Sequence, residues 1–138
     1  KGAGDKLNNR SYSQDDLVDK QPDLEQISDV TIIDMDHLNM FTDGDPNEEK
    51  QLLDLFFDQV QISLQALKES CVNDNKEDWK KAAHKFKGSA ANLGATSLCK
   101  SCENAEKHYN ADLDARKIML VEINAKVIEL KNFLGRKN

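Results

Sequence analysis

Apolar residues recur along most of this chain at alternating steps of three and four, the period of a helix with one face turned to a core. The clearest run is Leu53, Phe57, Val60, Leu64 and Leu67. A strong start signal precedes it, with Asp45 as N-cap, Pro46 at the first helical position and Glu48 three residues after the cap. The run reaches about Cys71 before Val72-Asn73-Asp74-Asn75 breaks it. Asn75, with Asp78 three residues on, caps a further helix that carries Trp79, Ala82, Ala83, Phe86, Ala90 and Leu93. Gly94 ends that helix in a left-handed conformation. Leu98, Cys102, Ala105 and Tyr109 repeat the spacing, closed by Asn110-Ala111-Asp112. A last helix begins near Asp114, places Leu120, Ile123, Val127, Leu130 and Leu134 on one stripe, and stops at Gly135. Ahead of these, Ile32, Ile33, Met35, Leu38, Met40 and Phe41 predict a short helix before the turn Thr42-Asp43-Gly44-Asp45, lidding one end of the structure.

The fold expected is all-α: an antiparallel up-down-up-down four-helix bundle over residues 31–138 with a short additional N-terminal helix. Residues 1–30 hold only scattered apolar positions and cannot bury enough surface to offset the entropy of ordering, so they read as a flexible linker or tail. The opening KGAG, without an initiator Met, fits either a segment cut from a longer chain or a cloning remnant.

Composition narrows the function classes. At 138 residues the chain holds one core and not two. Aromatics are 6% and charged residues 32%, a balance that suits a helical protein better than a barrel of short strands. The net charge of -6 argues against a general nucleic-acid binder, although a local basic patch could still meet an acidic partner. No apolar run approaches the roughly 20 residues of a membrane span. Three cysteines cannot form a complete disulfide framework, which favours a reducing, cytoplasmic setting.

The informative chemistry lies on the helix that follows Asn75. At about 100° per residue, with His84 at zero, its apolar residues fall between roughly 160° and 260°. His84 points the opposite way. Lys80 and Lys87 lie one turn before and after it, Lys81 and Lys85 flank the same side, and Gly88 stands one turn on with no side chain to screen the ring. Glycine in a helix interior is unfavourable by about 1 kcal/mol relative to alanine, so something other than helix stability favours it there. Close approach of another molecule supplies a reason.

His84-Lys85-Phe86-Lys87-Gly88-Ser89, followed by Gly94, resembles the H-x-x-K-G-x-x-x-x-x-G signature of histidine-containing phosphotransfer (HPt) domains, and the likeness covers about residues 34–134. The resemblance implies that His84 accepts a phosphoryl group on a ring nitrogen, Nε2, from a receiver-domain phosphoaspartate and passes it to another receiver. The chemistry is reasonable, since an exposed imidazole is mostly neutral at neutral pH and keeps one nitrogen lone pair for in-line attack. Lys87 is then the electrostatic partner of the phosphoryl oxygens. Gly88 and Gly94 are accessory, and Lys80, Lys81, Lys85 and Ala91 are candidate docking residues. Nothing resembles a nucleotide-binding phosphate loop, and no cluster of carboxylates is evident around the histidine. The expectation is a phosphoryl carrier that needs no cofactor of its own, with Mg²⁺ held by the receiver, and a single chain that touches neither nucleic acid nor membrane.

Competing readings attach to the other reactive residues. Cys99-Lys100-Ser101-Cys102, with Cys71, His108 or His37, has a zinc-ligand spacing, but Cys102 falls in the apolar stripe and the thiols read as core or boundary residues. His108 suits the end of its helix, and His37 has no motif around it. Phe56 and Phe57 are expected to divide between the core and its edge, where an exposed Phe56 could join a docking patch. A helical interaction module that carries the signature without transferring phosphate is the alternative from another class.

Overall fold

A computed structural model describes residues 32–136, and the linker expected over residues 1–30 lies outside them. Among the described residues there are five helices and no strands: α1 (Met35–Thr42), α2 (Pro46–Val72), α3 (Lys76–Leu93), α4 (Thr96–Lys107) and α5 (Leu113–Phe133). The start signals act as the sequence predicts. Asp45 accepts from the Asn47 amide with Pro46 following, and Asn75 accepts from the Asp78 amide, each cap contributing about 1 kcal/mol. The last helix begins earlier than expected because Asp112 caps it by accepting from the Ala115 amide, and does not close the helix before it.

The four longer helices pack around one core, α2 on α3, α3 on α4, α4 on α5 and α5 back on α2. Leu53, Val60, Leu67, Trp79, Phe86, Leu98, Cys102, Ile123, Val127 and Leu130 fill it. Leu64, Ala82, Leu120 and Leu134 from the expected stripes are only half-buried at its edge. Phe56 and Phe57 do not divide between core and edge. Both are buried, in edge-to-face contact with centroids 5.0 Å apart, so Phe56 offers no exposed ring and only lines the floor of a groove between α2 and α3.

Arg116 was invisible to hydrophobic periodicity, yet it is fully buried among the apolar side chains of α5. Its Nε donates to the Ala111 carbonyl and its Nη2 to the Asp74 carboxylate, so the guanidinium ties together the two loops at that end. Burying a charge is tolerable only with such partners. Tyr109, expected on the α4 stripe, falls beyond the helix end and is half-buried, with the Lys80 ammonium 4.6 Å from its ring centroid.

α1 is shorter than the apolar run that announced it. Ile33 precedes the helix and is buried, Leu38 is buried, and Met40 and Phe41 are exposed. The Asp34 amide donates to the Gly94 carbonyl, and His37 Nε2 lies 2.8 Å from the Asn92 carbonyl, so α1 is fastened to the end of α3. Gly94 has φ +87°, and a Cβ there would meet His37 Cδ2 at 3.0 Å. The residue therefore has two reasons to be glycine, the helix stop and the close packing of His37.

Candidate functional site

Helix α3 turns Trp79, Ala83, Phe86, Ala90 and Leu93 inward, and the same geometry turns His84 outward. The His84 side chain is 68% exposed. Its placement relative to α4 is fixed five residues earlier, where the buried Trp79 Nε1 donates to the Ala105 carbonyl at 2.9 Å. That bond sets the register of α4 against α3 and brings the next residue, Glu106, to the imidazole.

Glu106 is the residue that reasoning from sequence missed. Its Oε2 lies 2.8 Å from His84 Nδ1 and its Oε1 lies 2.8 Å from Lys87 Nζ, so one carboxylate spans the histidine and the lysine. The expected cationic surround therefore also holds one carboxylate at the ring, though not a cluster of them. The signal was present only as an acidic residue beside Ala105 on the apolar stripe of α4, and it acquires meaning once α3 and α4 are in register.

Electrostatics reinforce the arrangement. The hydrogen bond from Lys87 holds the Glu106 carboxyl below its ordinary value; burial opposes it, and the bond to His84 adds a smaller lowering. Reciprocally, the bond to Glu106 raises Lys87 above its ordinary value. An ionised carboxylate has no proton to donate, so Nδ1 of His84 carries the hydrogen in this contact. In the neutral ring the lone pair then lies on Nε2. The arrangement joins an exposed imidazole, a carboxylate at its Nδ1 and an ammonium one turn along α3.

Gly88 is exposed, and a Cβ built on it would meet nothing within 4 Å. Among the described residues, no packing demands glycine here. Lys81, Lys85 and Ala91 are exposed, as expected of candidate docking residues. Lys80 is half-buried over Tyr109 and belongs to the structural contacts of α3 with the α4–α5 connection. Beyond Gly88, an apolar groove of about 250 Å³ between α2 and α3 is lined by Phe41, Leu52, Leu55, Ser89, Asn92 and Leu93, among others.

The remaining histidines and the thiols have ordinary roles. His108 Nδ1 lies 2.9 Å from the Asn104 carbonyl at the end of its own helix, as expected. Cys102 is fully buried and Cys99 half-buried, and burial raises both thiols above their ordinary range. Among the described residues, no three His, Cys, Asp or Glu side chains converge as a ligand set, and no helix is long and apolar enough to cross a membrane.

A search of curated proteins finds no match. The family model described as the Hpt domain matches residues 51–134, which includes most of α2 and all of α3, α4 and α5, together with His84, Lys87 and Glu106. With most of the chain so matched and its solvent-facing histidine held on a helical scaffold, this protein belongs to the Hpt domain family, the phosphocarriers of histidine phosphotransfer in phosphorelays.

Proposed function

We infer that His84 is the phosphoryl carrier, accepting from the phosphoaspartate of one receiver domain and donating to the aspartate of another. The observation that carries this reading is the contact of Nδ1 with Glu106 on a side chain that is largely exposed, so that in the neutral ring the proton sits on Nδ1 and the lone pair on Nε2. In the accepting step the Nε2 lone pair forms the N–P bond as the acyl P–O bond breaks, and the bonding pair leaves with the aspartate carboxylate. Positive charge develops on the ring as the bond forms, and Glu106 offsets it through Nδ1–H. Lys87 turns its ammonium from Glu106 toward the incoming phosphoryl oxygens. Donation reverses these movements.

The scaffold that serves this chemistry is an antiparallel up-down-up-down arrangement of α2 to α5 with α1 as the additional short helix. Receivers dock on the exposed faces of α2 and α3, steered by Lys81 and Lys85, with Gly88 and Ala91 giving their loops access to the ring. The apolar groove beside Asn92 extends that surface. Mg²⁺ belongs to the receiver, and the domain acts without a cofactor of its own.

The test is incubation with a receiver carrying labelled phosphoaspartate. Wild type should acquire acid-labile label and His84→Gln should acquire none. Undiminished labelling of the variant would place the carrier elsewhere.

A further inference from the structure

Helix α5 carries two apolar stripes where one suffices for its core. Met119, Ile123, Val127 and Leu130 are buried. Ile118, Val121, Ala125 and Ile128 form the second stripe, at steps of three, four and three, and Asn132 continues it after four more. At about 100° per residue this stripe lies roughly opposite the buried one. Ile118 is 61% exposed, Val121 69% and Ile128 39%, and Ala125 and Asn132 are exposed as well. Alternation of three and four is the spacing at which two helices interlock side by side.

The flanks of the stripe carry opposite chemistry. Lys117 and Asn124 border one side, Glu122 and Glu129 the other. Glu129 has only a loose in-helix contact, 3.5 Å from Lys126. When two such helices lie parallel about a two-fold axis, each flank meets the opposite flank of its neighbour. Lys117 then faces the partner's Glu122, Asn124 faces the partner's Glu129, and the axis repeats both pairs. An antiparallel pairing sets Glu against Glu and Lys117 against another lysine. Asn132 occupies the seam position where a buried asparagine fixes register by pairing with its own copy.

We propose that the outer face of α5 binds a second copy of this chain, forming a parallel, two-fold symmetric dimer through Ile118, Val121, Ala125, Ile128 and Asn132. This replaces the expectation of a single chain. The helix is already ordered by its inner stripe, so association does not carry the cost of folding it. α5 packs on α2 and α4, whereas His84 sits on α3 and faces outward elsewhere, so both histidines stay open in the pair. The proposal is independent of the phosphotransfer reading.

Sedimentation equilibrium of the 138-residue chain at about 100 μM tests it. Wild type should exceed the 15.6 kDa of one chain and approach twice that mass as concentration rises. Val121→Lys, with helical circular dichroism unchanged, should weaken association at least about tenfold. Lys117→Glu and Glu122→Lys should each associate more weakly than wild type, and an equimolar mixture of the two should recover the heavier species. A wild-type mass that stays at one chain, a pair that survives Val121→Lys undiminished, or a mixture that associates no better than its components would each overturn the proposal.

Discussion

Nδ1 of His84 lies 2.8 Å from Oε2 of Glu106, a residue 22 positions away on a different helix. In the neutral ring, a carboxylate in that place decides which nitrogen carries the proton and so which one is free for the proposed transfer. Glu106→Ala should release the tautomer, which nitrogen NMR of the imidazole would register as loss of the Nδ1–H preference. Phosphoryl acceptance from a receiver should slow by roughly 10–100-fold, and Glu106→Gln, which retains an acceptor oxygen, should lose less.

The pH response follows from the direction of the Glu106 shift. Its carboxyl is held below 4.5, so whatever this contact contributes to stability is present above about pH 4.5 and is lost as pH falls through the folded-state value. Lys87→Ala removes the main cause, and carboxyl chemical shifts should show Glu106 titrating closer to its ordinary value in that variant.

Gly88→Ala should separate stability from function. A Cβ there would touch nothing among the described residues, so the substitution should stabilise α3 by about 0.5–1 kcal/mol in chemical denaturation. If receivers dock as proposed, phosphotransfer should nonetheless slow, and Gly88→Gln should slow it further. Unchanged transfer in both variants would deny the glycine a docking role.

Arg116 and Asp74 give a prediction about the opposite end of the fold. Asp74→Asn keeps the side-chain shape and tolerates the left-handed backbone at φ 49°, but it leaves the buried guanidinium facing a neutral partner. The cost should be about 1–3 kcal/mol in urea denaturation. Arg116→Met removes the buried charge together with its need for a partner and should cost less than Arg116→Ala, which also opens a cavity.

The helices were legible in the sequence because caps and apolar spacing are local properties. Asp45-Pro46, Asn75 with Asp78, and Gly94 act as written. His84 was legible for the same reason, since a wheel on α3 alone turns it away from the core. Glu106 was not, because its meaning depends on where α4 sits against α3, a relation set by Trp79 and Ala105 across 26 positions. Arg116 was hidden because its burial depends on the Ala111 carbonyl and on Asp74, 42 positions away, neither of which a periodicity contains. His37, featureless in sequence, gains its role from the Asn92 carbonyl 55 positions away.

The indole bonded to Ala105 is the only tryptophan in the chain. It sits five residues from His84 on α3, and its partner Ala105 directly precedes Glu106 on α4, so a slip between these helices alters its surroundings and the imidazole's tether together. Intrinsic fluorescence can thus serve as a native optical gauge of whether the His84–Glu106 contact is correctly set, with no dye or engineered label required.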